Sequence, residues 1–281
     1  MSRVALAAIL AMVAFAANSV LCRMALRGTA IDPATFMSVR LVTGAVTLWV
    51  IVRLTRGRLR GAGDWRSAGA LLVYALPFSF AYVGLTAGTG ALLLFGAVQM
   101  VMVAAGLFRG ERFNALSAAG WLVALAGVVV LVAPGVSAPP ARDAVLMVTA
   151  GIAWGIYSLR GRSSQDALRD TAGNFARAAP GSLLLSALLW EQHSWDASGA
   201  LLAVLSGSVA SGLGYAAWYT ALPRLSAIAA ANLQLSVPVI AAFGGVLLFA
   251  EPITWRLALA SAMVLGGIAA ASNRRWAAQR A

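Results

Sequence analysis

Long uninterrupted apolar stretches leave this chain few ways to fold. They fall at 4–26, 34–54, 67–86, 88–108, 115–133, 144–159, 171–190, 199–222, 225–249 and 255–272. About 20 apolar residues is the length of a helix that crosses a bilayer, and only a helix satisfies its own backbone polar groups within lipid. The chain also lacks the polar surface a water-soluble domain needs: 11% of its residues are charged, against about 25% in an ordinary soluble domain. Connections are short and carry turn residues, Gly88 and Gly90 at the junction where the fourth run begins and Pro223 between the eighth and ninth. The first run has no small-residue cleavage site after a short apolar core and is read as a spanning helix rather than a leader. The expected fold is all-α and integral to the membrane, with ten transmembrane helices.

The arginines set the orientation. All 21 basic residues are arginine, for a net charge of +12. In a soluble protein that excess would suggest nucleic acid, but here the arginines punctuate apolar runs as topology signals, and no nucleic-acid partner is expected. With the N-terminus in the cytoplasm, the inner segments hold fifteen arginines (3, 53, 56, 58, 60, 66, 109, 112, 160, 162, 169, 224, 274, 275, 280). The outer segments then hold four (23, 27, 142, 256). This asymmetry follows the positive-inside rule, and an even number of spans returns the C-terminus to the cytoplasm. The location expected is a cell inner membrane, crossed many times.

The two halves of the chain repeat one another. Phe15-Ala-Ala-Asn-Ser in the first run resembles Trp154-Gly-Ile-Tyr-Ser in the sixth, and Glu111 after the fourth run corresponds to Glu251 after the ninth. Leu107-Phe-Arg-Gly-Glu and Leu248-Phe-Ala-Glu end their runs alike, and Arg40 is matched by Arg177. Five spans is an odd number, so the second copy enters the membrane from the opposite side. The expected units are residues 1–138 and 139–281, each a five-helix repeat, the second inverted.

These same residues resemble the drug/metabolite transporter superfamily in its EamA-type branch, along essentially the whole chain. The likeness to the aromatic and neutral amino-acid exporters implies a ten-helix carrier that exports small solutes by alternating access. Pro238 of the ninth run departs from the repeat, since Gln99 stands near the corresponding place in the fourth. Other branches of the superfamily, nucleotide-sugar carriers and cationic-drug exporters, share the fold, and a membrane enzyme or lipid scramblase is the reading from another class.

An enzyme needs a constellation of reactive groups, and none is visible. The nine acids map to loops or run ends, there is no lysine, and His193 and Cys22 each stand alone. No catalytic residue, metal site or cofactor is therefore expected. Proton-coupled carriers place an acid or histidine inside the bundle, and none lies near a run centre here, so transport without obligatory proton coupling is expected. The candidate solute site is made of aromatic and amide residues inside the spans: Phe15, Asn18, Phe78, Tyr82, Gln99, Trp154, Tyr157, Tyr215, Trp218 and Gln234. Each also has a plainer use, the rings as interface anchors and the amides as hydrogen bonds between helices. Arg40 and Arg177 lie about two turns inside their helices. Snorkelling, or cross-half ion pairs of Arg40 with Glu251 and Arg177 with Glu111, ranks ahead of a carboxylate clamp. Pro77, Gly84, Gly88, Gly151, Gly155 and Pro238 are hinge candidates, with close helix packing as the commoner role of the glycines. The expected partners are a small-molecule substrate, an amino acid by resemblance, and the lipid bilayer, with the protein acting as a monomer.

Overall fold

A computed structural model describes residues 3–55, 57, 62–108, 115–135, 137–162, 164–225, 230 and 233–273. Among these residues there are helices and no strands. The helices are α1 (Arg3–Gly28), α2 (Pro33–Thr55), α3 (Trp65–Ala81), α4 (Ala87–Phe108) and α5 (Ala115–Val132). They continue with α6 (Ala141–Gly161), α7 (Ala167–Leu188), α8 (Ala197–Arg224), α9 (Ser236–Phe249) and α10 (Trp255–Asn273). Helices α1, α2, α4, α5, α6 and α8 are long and apolar enough to cross a membrane. Helix α3 has 17 residues, α9 has 14, and α7 carries Arg169, Asp170, Asn174 and Arg177 in its first half.

Within the apolar run at 225–249, residues 230, 233 and 234 are helical and a turn at Leu235 precedes α9. Pro238 falls in the first turn of Ser236–Phe249, where an amide hydrogen has no helical acceptor to lose. Pro77 and Pro180 do sit inside α3 and α7. The middle of α8 is a π-helical stretch, Ser206–Leu213, whose run of small residues lets α2 come close. A Cβ added to Gly207 would strike the Arg40 carbonyl oxygen.

Helix packing has a plain order. Helices α5 and α10 pair with each other, meeting at Gly120 and Gly267, where a Cβ on either residue would strike the other's carbonyl oxygen. The remaining helices form the main bundle. There α4 and α3 pack on α6, α9 and α8 pack on α1, and α2 packs on α7. Helix α3 also meets α7, as α2 meets α8. The large buried side chains Phe36, Met37, Leu41, Leu71, Phe78, Leu85, Leu92 and Phe175 fill the interior of this bundle. Apolar residues such as Leu10, Trp49, Leu122, Val145, Leu184, Phe243 and Leu247 face outward, as a surface solvated by lipid requires.

Candidate functional site

A cavity of about 520 Å³ of empty space, counting its mouth, lies within the main bundle. Its walls come from α1 (Phe15, Asn18, Ser19), α2 (Arg40), α3 (Tyr74, Phe78) and α4 (Leu94, Phe95). Trp154 of α6, Phe175 of α7, Ala210, Ser211 and Tyr215 of α8, and Gln234 complete it. Rings make a continuous wall: Tyr74 lies 4.8 Å from Trp154, Trp154 5.6 Å from Tyr215, and Tyr215 5.7 Å from Phe15 and 5.8 Å from Phe175. These centroid separations suit edge-on and tilted aromatic contacts.

Asn18 holds one side of the cavity together. Its amide donates to the Tyr74 hydroxyl at 3.3 Å, and its carbonyl oxygen accepts from Ser206 Oγ at 2.6 Å. One α1 side chain thereby ties α3 and the π-helical stretch of α8, so its use as a link between helices and its place on the cavity wall coexist.

Arg40 is the one charged residue of the wall among the described residues. It is 1% exposed, and its Nε and Nη1 have no hydrogen-bond partner. Its guanidinium carbon stands 4.8 Å from the centre of the Phe78 ring and 5.3 Å from that of Tyr74, so two ring faces supply cation–π contact.

Above and below the cavity the bundle is closed by two polar clusters. Helix α2 separates them, and its 23 residues span about 35 Å. At the end holding the α1 C-terminus, Arg23 Nε donates to Glu251 Oε1 at 2.9 Å. Arg23 Nη1 donates to the carbonyls of Tyr82 (3.0 Å) and Val83 (2.9 Å). Glu251 Oε2 accepts from the Ala87 amide at 2.9 Å, which places a carboxylate at the N-terminus of α4, where the helix dipole favours it. Ala250 makes this geometry: it ends α9 in the left-handed region (φ 51°) and turns Glu251 back toward the bundle.

At the other end, Asp64 caps α3 by accepting from the Arg66 and Ser67 amides and the Ser67 hydroxyl. Arg160 Nη2 donates to the same carboxylate at 2.9 Å. Burial works against the Asp64 anion, but the Ser67 hydroxyl and amide and the Arg160 guanidinium outweigh it and hold its pKa down at about 2. Asp170 accepts from the Gly63 amide and Asn174 from the Asp64 amide. Between this cluster and the cavity, Tyr157 donates to Thr171, Thr171 to Tyr219, and Asn174 to Tyr157.

Against these positions the sequence candidates divide. Phe15, Asn18, Phe78, Trp154, Tyr215 and Gln234 meet at the cavity. Tyr82, Gln99, Tyr157 and Trp218 do not line it: Tyr82 packs on Phe78 toward the Glu251 end, Tyr157 joins the hydroxyl network, Trp218 edges Phe15, and Gln99 is buried on α4. The expected Arg40–Glu251 pair is corrected by the geometry. Glu251 takes Arg23, because the short α1–α2 connection brings the end of α1 to the α9–α10 turn while Arg40 is two turns down α2. Arg177 donates to the Ala62 and Gly173 carbonyls and lies over Trp65, and Glu111 is outside the described residues. Of the hinge candidates, Gly88 abuts Ala242, Gly151 and Gly155 abut α4 at Leu94, Ala97 and Val101, and Gly84 lies against Asp143. All four glycines thus sit at close contacts. Sequence reading missed Tyr74, Phe175, Phe95, Ser19 and Ser211. The spacing of Tyr74, Phe78 and Tyr82, four residues apart on one helix face, was a signal for the first.

A lipid-facing helical bundle around an aromatic cavity defines a multi-pass membrane transporter rather than a soluble domain. Comparison with known proteins gives the family: the model of the EamA-like transporter family matches residues 142–273. An uncharacterized protein of Pseudomonas aeruginosa is 53% identical over 268 residues, 95% of this chain and 93% of that one. An uncharacterized transporter of Archaeoglobus fulgidus is 27% identical over 201 residues, 70% of this chain and 71% of that one. The chain belongs to the EamA-like transporter family. A crystal structure described only as that of a protein has a TM-score of 0.67 at 21% identity, covering 96% of this chain and 97% of its own, which is a likeness of fold.

Proposed function

We propose that the protein is a ten-helix carrier built from two inverted five-helix repeats, residues 1–138 and 139–281, with both termini in the cytoplasm of an inner-membrane location. The packing order supports the repeat. Exchanging each helix for the one five places along turns α4–α6 into α9–α1, α3–α6 into α8–α1 and α3–α7 into α8–α2, and leaves α2–α7 and α5–α10 unchanged. The family model also matches one such unit, from the start of α6 to the end of α10.

In this reading the carrier exports small organic solutes by alternating access, with neutral and aromatic amino acids the first class to test. The observation that carries it is the cavity itself, walled by rings and amides where both halves meet. Among the described residues no acid lines it, so protons have no carboxylate there to ride on, and transport proceeds without obligatory proton coupling. Counterflow in proteoliposomes against a panel of amino acids tests both parts. Exchange of external labelled phenylalanine or leucine for internal unlabelled solute is expected, unchanged by an imposed pH gradient. Uphill accumulation driven by that gradient would refute the uncoupled mechanism, and the absence of exchange with every solute would refute the substrate class.

A further inference from the structure

We infer that Arg40 receives the carboxylate of the transported solute, and that the site recognises an apolar or aromatic monocarboxylate through that group alone, with no role for an amino group. The inference rests on the cavity being the solute site, as proposed above.

Charge in the cavity is the starting point. A buried guanidinium without a counter-ion costs several kcal/mol, which two ring faces offset only in part. Elsewhere in the bundle that cost is met: Arg23 has Glu251 and two carbonyls, Arg160 has Asp64, and Arg177 has two carbonyls. Arg40 alone among these four is left with Nε and Nη1 unpartnered, on the wall of an open space. The two nitrogens do not share an edge, since Cδ lies between them, but each is a donor that a carboxylate oxygen can meet in a charge-assisted hydrogen bond.

The remainder of the wall fixes the rest of the solute. Among the described residues no second cation lines the cavity, so a single negative charge neutralises it and a phosphate dianion would overshoot. Among the described residues no carboxylate lines it either, so the ammonium of a zwitterion has no counter-ion and would leave the site with the net positive charge it began with. The acids of the described residues are engaged or placed elsewhere: Asp32, Asp64, Asp166 and Asp196 at helix starts, Asp170 on Gly63 and Ser164, Glu251 on Arg23, Asp143 beside Gly84 and Glu191 in an exposed turn. Opposite Arg40, Trp154, Tyr215, Phe15 and Phe175 provide the apolar walls that accept a ring or branched chain.

Three probes that share a phenyl ring separate the contributions: 3-phenylpropionate, phenylalanine and phenethylamine, titrated by calorimetry into the full-length protein in nanodiscs. The expected order is 3-phenylpropionate at least as tight as phenylalanine, with phenethylamine at least tenfold weaker than either. Arg40→Gln should weaken both carboxylates at least tenfold and leave phenethylamine within twofold. Arg40→Lys keeps the charge but not the fork, and should fall between; it carries the test alone where Arg40→Gln does not fold, as judged by thermal unfolding. Phenethylamine binding as tightly as 3-phenylpropionate, no binding of 3-phenylpropionate, or carboxylate affinities in the folded Arg40 variants within twofold of the parent would overturn the assignment. Binding in the expected order without flux in proteoliposomes would sink the transport reading and leave this one standing. Flux that ignores Arg40 would do the reverse.

Discussion

The two ends of the main bundle are closed in different ways. At one end a single buried ion pair does most of the holding: the Arg23 and Glu251 side chains are 8% and 11% exposed, and between them they tie α1, the α3–α4 turn, α4 and the α9–α10 turn. At the other end the Asp64–Arg160 pair is wet, 48% and 37% exposed, and it is one strand of a web that includes Asp170, Asn174, Arg177 and the Tyr157–Thr171–Tyr219 hydroxyls. A concentrated, dry clamp and a distributed, wet one respond differently to the same insult. Removing one partner from the dry clamp strands a charge in a poorly hydrated place, whereas removing one contact from the web leaves water and neighbours to compensate.

The largest effect is therefore expected at Glu251. Glu251→Gln leaves Arg23 buried without its counter-ion and should cost about 3–5 kcal/mol, read from reversible unfolding in nanodiscs. Arg23→Met combined with Glu251→Met removes both charges together and should recover most of that loss. If the double variant is no more stable than Glu251→Gln, the dry clamp is not what holds this end. Arg40→Glu combined with Glu251→Arg should rescue nothing, since those residues do not meet.

This pairing also shows where sequence reading stops. The apolar runs were legible because lipid permits little else, and the helix starts and stops from α1 to α8 and at α10 fell near run boundaries. Asn18 stood out because a polar residue far from a span end is costly without a use, and Phe15 and Trp154 because they open the repeated motif. Arg23 did not stand out. It reads as one of four arginines at outer boundaries, a topology signal, and nothing in its neighbours names a partner 228 residues away. Arg40 was noticed but mispaired, because symmetry of the repeat relates residues in the chain without saying which side chains touch. Phe175 gave no sign, since a phenylalanine in an apolar helix fits core and cavity equally well.

A smaller, stabilising change sharpens the dry end. Ala250 holds a left-handed conformation, which costs a residue with a Cβ about 1–2 kcal/mol. Glycine adopts it freely but loses more entropy on folding, so Ala250→Gly should gain about 0.5–1 kcal/mol net. The chain itself uses glycine at the matching place in the first half, Gly110 before Glu111. A destabilised Ala250→Gly variant in the same unfolding assay would mean that Ala250 makes a contact its conformation does not reveal.

The smallest effect belongs to the wet end and is seen best against pH. Asp64 has its pKa held at about 2 in the folded protein, below the value near 3.9 of a free aspartate. A depressed carboxylate contributes stability that is fully present above the unfolded value and is lost as pH falls through the folded one. Between about pH 5 and pH 8 nothing should change at this site, and the loss should fall between about pH 4 and pH 2. Asp64→Asn keeps a good cap for α3 while removing the charge, so at neutral pH it should cost only about 0.5 kcal/mol or less after solvent screening. Its measurable signature is a flatter acid limb: the difference in stability between the parent and Asp64→Asn should shrink toward zero as pH drops from about 4 to about 2. A difference that persists unchanged across that window would show that the Asp64 cap, rather than its charge on Arg160, closes this end.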